Sequence, residues 1–137
     1  MTFSQIPDPT TVSLIVTTYG TDTLYTEACL ESIARWKRFA HELIVVTHDE
    51  TPLLRAYLDA RTADGLIDRL IYANSGHGHT RGYNLGVQYS SGDVVFNICN
   101  DIKIGPGLVD DCARQLRADK QLGMIGWHWY NEGTRWR

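Results

Sequence analysis

The chain has 137 residues, of which 43% are hydrophobic, 21% charged and 10% aromatic. This is ordinary globular composition, one domain's worth of chain that buries roughly two-thirds of its unfolded surface; it excludes a disordered tail, a collagen-like repeat, a disulfide-rich miniprotein and a pair of full catalytic lobes. The net charge is −3, from 13 Lys+Arg against 16 Asp+Glu, and the basic residues are scattered apart from Arg35, Lys37 and Arg38, so nucleic acid is disfavoured as a partner.

Residues 1–10 carry Pro7 and Pro9 and read as a lead-in to a single domain over 1–137. Val12-Ser-Leu-Ile-Val-Thr17 is a β-branched run, short enough for a buried strand. Thr18-Tyr19-Gly20 ends it. A helix is predicted from about Asp22 to Phe39, with Cys29, Leu30, Ile33 and Trp36 on one apolar stripe. The Arg35, Lys37 and Arg38 cluster sits in its last turn, where the helix dipole favours cations. Leu43-Ile-Val-Val46 is a second strand.

Thr51 and Pro52 mark the cap and first position of a second helix. Leu54, Tyr57 and Leu58 point inward, and the helix ends near Asp64-Gly65. Leu70-Ile-Tyr72 is a third strand. A glycine- and histidine-rich loop over 74–82 leads into a helix that continues to about Tyr89. Asp93-Val-Val-Phe96 starts a fourth strand. Pro106-Gly107 opens a helix with Leu108, Val109, Cys112 and Leu116 inward. Met124-Ile-Gly-Trp127 is the expected fifth strand. Short buried strands alternating with amphipathic helices predict a Rossmann-like α/β/α sandwich with a mostly parallel sheet.

The three cysteines, Cys29, Cys99 and Cys112, are odd in number and lack CxxC spacing. Two lie in apolar helical stripes, which suggests reduced, buried thiols and a cytoplasmic location. No apolar run approaches the ~18 residues of a membrane span. The N-terminus lacks a signal-peptide pattern, and attachment to a membrane surface through other segments is compatible with this reading.

In parallel α/β sheets, ligands bind outside the carboxyl ends of the strands. That rule nominates the loops at 17–20, 47–50, 74–82 and 98–105. Asp101, just past the fourth strand, is placed to hold Mg²⁺ or Mn²⁺, which take oxygen ligands and often share them with substrate phosphates. A turn-forming Asn-Asp pair explains the same residues equally well.

Gly76-His-Gly-His-Thr-Arg81-Gly82 resembles a dinucleotide fingerprint but has Arg81 at the third glycine position and follows the wrong strand. Arg81 at a helix start is a candidate bidentate anion donor, and a glycine turn with a solvated arginine is the alternative reading. His48, His77, His79, His128 and Cys99 match no zinc spacing. No G-x-S-x-G elbow is present for a hydrolase.

Together these segments resemble the family 2 glycosyltransferases of the GT-A fold, across about residues 12–127. Val12-Ser-Leu-Ile-Val-Thr-Thr-Tyr19-Gly20 is similar to the family's opening strand. Cys29-Leu-Glu-Ser-Ile33 is similar to its "C-L-x-S-(I/L)" helix, and Glu42-Leu-Ile-Val-Val46 to its "E-I-I-V-V" strand. Gly78-x5-Asn84-x-Gly86 followed by Ser91-Gly92-Asp93 resembles its "N-x-G … G-D" segment. Asp101 falls on the last Asp of the D-x-D metal motif.

The resemblance implies a UDP-, GDP- or TDP-sugar donor, a Mn²⁺ or Mg²⁺ ion, and transfer of the sugar to an acceptor hydroxyl. Thr17 and Tyr19 would lie along the nucleoside and His48 beside the base, with Asp49 as the neighbouring alternative. Arg81 would serve the base and diphosphate, Asn100 the ribose and Asp101 the metal. Three positions depart from the family: Cys99 replaces the first Asp of D-x-D, Thr47-His-Asp-Glu50 replaces Asp-Asp-Gly-Ser, and Gly20 replaces Asn.

An inverting member takes its general base from the acceptor half, beyond the metal motif. Asp110, Asp111, Asp119 and Glu132 follow Asp101 without a family-like acidic motif, so the catalytic base is unassigned. The expectation is a donor-binding half, with an acceptor domain or a homo-oligomer as compatible partners. A non-catalytic nucleotide-sugar-binding or interaction module on the same scaffold is the alternative, to which Trp127, Trp129 and Trp136 would contribute a surface. A dinucleotide-dependent oxidoreductase is a third.

Overall fold

In the computed structural model, which describes residues 12–20 and 23–126, four strands form one all-parallel sheet. They are β1 (Val12–Tyr19), β2 (His41–His48), β3 (Arg69–Tyr72) and β4 (Val94–Cys99), in the order β3-β2-β1-β4. Four helices connect or follow them: α1 (Thr23–Trp36), α2 (Pro52–Ala63), α3 (Gly78–Gln88) and α4 (Leu108–Ala118). Chain order reverses at β1, which pairs with β2 on one side and β4 on the other.

Side chains alternate across a strand, and β1 uses both faces. Leu14 and Val16 pack with Cys29, Leu30 and Ile33 of α1, Leu54 and Leu58 of α2, and Val109 and Cys112 of α4 in one core. Ile15 packs on the opposite face with Ile44, Val46 and Tyr83 of α3. The result is the expected three-layer α/β/α sandwich, with β1 buried from Val12 to Thr18.

Both β1 and β2 run two or more residues beyond their apolar runs. Their register is unbroken from Val12–His41 to Tyr19–His48, so pairing recruits polar end residues that hydrophobicity alone does not mark. Thr51 caps α2, its hydroxyl accepting from the Leu54 N–H at 3.3 Å, and Pro52 takes the first position. α1 ends at Trp36 rather than Phe39. Beyond it, the Lys37 ammonium is drawn to Asp68 and to the Leu66 carbonyl, and Arg38 pairs with Asp110. The basic cluster is therefore partly committed to internal ion pairs.

The 74–82 segment is helical from Gly78 onward, so the turn is shorter than expected. Gly76 and Gly78 have positive φ (67° and 75°), whereas Gly82 is buried within α3. A Cβ on Gly82 would stand 3.2 Å from Thr17 Cγ2. It is a packing glycine, not a turn glycine. Residues 124–126 form no strand, and Trp127 lies outside the described residues, as do the lead-in, Asp22, His128, Trp129, Glu132 and Trp136.

Candidate functional site at the carboxyl edge of the sheet

The parallel sheet sends the ends of β1, β2 and β4 and the start of α3 to one edge. Thr17 and Tyr19 share a face of β1, as Val46 and His48 do on β2. Register sets Tyr19 beside His48, and their rings stack with centroids 5.5 Å apart and 16° between planes. Tyr19 is 52% exposed. Tyr19 is the open ring of this aromatic pair, and the His48 side chain behind it is 12% exposed.

Asp49 follows with φ 52°, the one positive φ among described non-glycine residues. Asp and Asn tolerate that region better than most side chains. Its carboxylate accepts from the Gly76 N–H at 2.8 Å and lies 3.0 Å from His48 Nδ1. The Gly76 N–H, the Ser75 hydroxyl and His48 together hold its pKa down to about 2. Asp49 thus ties the end of β2 to the turn before α3.

Thr17 Oγ1 meets His79 Nδ1 of α3 at 2.5 Å. Arg81, two residues further on, is exposed and forms no ion pair among the described residues. His77 has no side-chain cap bond to the helix it precedes.

Across the switch point, Asn100 turns inward. Its Nδ2 donates to Thr26 Oγ1 at 3.1 Å and Thr18 Oγ1 at 3.3 Å, and the two buried hydroxyls bond each other at 2.7 Å. Asp101 is exposed, with no hydrogen bond among the described residues. Burial, then the Asp101 charge and Cys99, push the Cys29 thiol up to about 12. Burial and Asp101 also raise Cys99. Both cysteines are free thiols and poor nucleophiles in this protonated state.

No three His, Cys, Asp or Glu side chains converge as a metal cage among the described residues. Asp101 offers one carboxylate, and Asn100 keeps its carbonyl oxygen after both amide hydrogens are spent. That donor set fits a hard cation completed by substrate oxygens and water, and does not fit zinc. A hollow of about 520 Å³, lined by Tyr83, Val95, Asn97 and Met124 among others, lies along β4 and includes none of the site residues named above.

Sequence reasoning missed the Tyr19–His48 stack, the Asp49–Gly76 bond and the Thr18–Thr26–Asn100 cluster. The strand register joins the first pair, and only a threonine at the end of β1 facing one in α1 hinted at the last.

An all-parallel sheet of this order, with polar loops gathered at its carboxyl edge, defines a GT-A-type, Rossmann-like fold. The chain belongs to one family of that class: the family model described as "Glycosyl transferase family 2" matches residues 13–137. Solved structures of TarS from S. aureus share the fold. One superimposes with a TM-score of 0.67 at 19% identity, covering 79% of this chain and 20% of TarS. TarS 1–349 in complex with UDP-GlcNAc gives 0.66 at 19% identity, covering 79% of this chain and 31% of that one. Its UDP complex gives 0.65 at 19% identity, with 79% and 32% covered. The chain therefore spans about a fifth to a third of these structures. No curated protein sequence matches it. No helix among the described residues is long and apolar enough to cross a membrane.

Proposed function

We propose that this chain is the donor-binding half of a glycosyltransferase. It takes a nucleotide-diphosphate sugar, with a divalent cation, for transfer to an acceptor hydroxyl. The observation that carries this reading is the arrangement at the carboxyl edge. An aromatic platform, Tyr19 and His48, stands on one side of the switch point, and an exposed carboxylate, Asp101, on the other.

A nucleoside lies against the platform and Thr17, while Arg81 meets the diphosphate as a charged donor. Asp101 holds the ion, which when bound neutralises charge on the departing diphosphate. Asn100 orients the loop that carries Asp101 and leaves its carbonyl oxygen for the ribose or a water. Asp49 shapes the base pocket from behind His48. The UDP and UDP-GlcNAc named for the TarS complexes favour a uridine nucleotide as the first donor to try. An acceptor domain or a second copy of the chain supplies the acceptor side and the general base.

Calorimetric titration with UDP and GDP, with and without Mn²⁺, tests this. Micromolar to low-millimolar binding of one of them, strengthened by Mn²⁺, is expected. Asp101→Ala should abolish the Mn²⁺-dependent gain and leave the metal-free binding. Failure of every nucleotide diphosphate to bind would sink the proposal. Binding without sugar release to any hydroxyl acceptor would favour the non-catalytic module on the same scaffold.

A further inference from the structure

Helix α1 bonds the segment that carries Asp101 at three levels. Thr26, Cys29 and Ser32 follow one another at three-residue spacing, a slanted row along about 9 Å of helix. Thr26 Oγ1 accepts from Asn100 Nδ2 at 3.1 Å. The Cys29 thiol donates to the Cys99 carbonyl at 3.7 Å, a weak bond of sulfur length. Ser32 Oγ accepts from the Ile104 N–H at 3.0 Å. The row thus holds the segment at its entry, its second residue and its exit. Between them the Ile102 N–H closes a turn on the same Cys99 carbonyl at 3.1 Å, and Asp101 stands exposed within that turn.

Of the three contacts, the one made by Ser32 is the hardest to replace. Its one hydroxyl hydrogen goes to the Cys29 carbonyl at 2.7 Å, which leaves its lone pairs for Ile104. Ile104 is 4% exposed, so water is a poor substitute, and an orphaned donor there forces the segment to shift. Thr18 and Thr26, by contrast, keep each other when Asn100 is lost. Asp101 is also the sole carboxylate between Cys99 and Ile104, so no second acidic side chain in the segment compensates for its misplacement.

We infer that Ser32 is a positioning residue for the cation: by holding the Ile104 N–H it fixes the exit of the turn, and with it the direction of the Asp101 carboxylate. Ser32 touches neither ion nor nucleotide in this role and acts through the backbone. The inference rests on the donor-binding reading above, in which Asp101 holds the ion, and extends the site to a side chain on a helix outside the four carboxyl-edge loops.

Amide exchange and calorimetry test it. In the protein without metal or nucleotide, Ser32→Ala should speed exchange at Ile104 ~10-fold relative to amides in the middle of β1 and β2, the worth of one hydrogen bond. Titration with UDP should show the Mn²⁺-dependent gain cut about threefold or more, with metal-free affinity within about twofold of the unmodified protein's. Ser32→Thr keeps a hydroxyl that can bond the carbonyl one turn back and should restore both readouts. Ser32→Cys, with a weak donor and acceptor of similar shape, should fall between them and serves if the alanine variant does not fold. Unchanged exchange at Ile104, or faster exchange with the full Mn²⁺-dependent gain, overturns the inference and leaves the donor-binding reading standing. Equal losses with and without Mn²⁺ that threonine does not restore mark a general loss of structure and also overturn it. UDP binding with no Mn²⁺-dependent gain in the unmodified protein overturns it together with the role of Asp101. No binding of UDP or GDP overturns the donor-binding reading itself.

Discussion

Asn100 spends both amide hydrogens on Thr18 and Thr26. In doing so it joins the end of β4 to β1 and α1, one residue before Asp101. Removing the carboxamide leaves two buried hydroxyls that can still bond each other, so the expected stability loss of Asn100→Ala is modest, about 1–2 kcal/mol. Its effect on the cation should be larger in kind. Asn100→Ala is expected to weaken Mn²⁺-dependent UDP binding while metal-free binding changes little, and paired titrations check this. An equal loss in both would assign Asn100 to the nucleotide itself. The residue types at this edge were legible in the sequence, because Asp101 and His48 stand just past buried runs. Their partners were not. Nothing in the chain order pairs Asn100 with Thr26 or Asp49 with Gly76, since those bonds depend on where the helices land.

Helix α3 owes its position to two glycines four residues apart. A Cβ on Gly86 would stand 2.5 Å from Ile15 Cγ2, and one on Gly82 would stand 3.2 Å from Thr17 Cγ2. Alanine in place of glycine favours a helix by about 1 kcal/mol, whereas overpacking a core costs roughly 1–3 kcal/mol. At Gly86 the clash is with a branched side chain on the buried central strand, so overpacking wins and Gly86→Ala should lower the urea midpoint. At Gly82 the contact is a few tenths of an ångström too close, and the two effects nearly cancel. A Gly86→Ala variant as stable as Gly82→Ala would refute this account of the packing. The alternation of strands and helices was readable from apolar runs and spacing. The ends of β1 and β2 were not, because the register extends pairing into Glu42, Thr47 and His48. The Gly82 misreading has a similar source: a glycine after a glycine-rich turn looks like part of the turn until the helix is seen pressed on β1.

The whole molecule gathers low-pKa carboxylates at both edges of the sheet. At the carboxyl edge stands Asp49. At the opposite edge burial pushes Glu42 up, but hydrogen bonds from Ser13, from the Ser91 N–H and hydroxyl, and the Arg69 charge outweigh it, so Glu42 is lowered. Asp93 is lowered by its bond from Arg117. Each group titrates lower when folded than the ~3.9–4.3 of an unfolded chain, so the unfolded state takes up protons first as pH falls. Their contribution is complete above that range and disappears as pH drops through the folded values. Stability should fall from about pH 4.5 downward, and Glu42→Gln should show a shallower decline, measured as urea midpoints at pH 5 and pH 3. Parallel declines in the two proteins would remove Glu42 from the account. Gly92 belongs to the same edge: its N–H donates to Ser13 Oγ, and a Cβ there would lie 2.7 Å from the Ser13 nitrogen.

The strand order also sets a sequence of assembly. Val12 meets His41 on one side of β1 and Val94 on the other. Closing the shorter stretch costs less chain entropy, so β1 and β2 are expected to pair before β4 and to bring Tyr19 to His48 first. β4, an edge strand among the described residues, closes the longer stretch and is expected to pair later and to open more readily than β1 and β2. Amide hydrogen exchange should therefore be faster along β4 than along the centre of β1 and β2. The Tyr19–His48 pair belongs to the part of the sheet expected to form first and to be best protected. Asp101 follows the edge strand β4, so under the donor-binding proposal a variant that speeds exchange along β4 should weaken the Mn²⁺-dependent part of UDP binding more than the metal-free part.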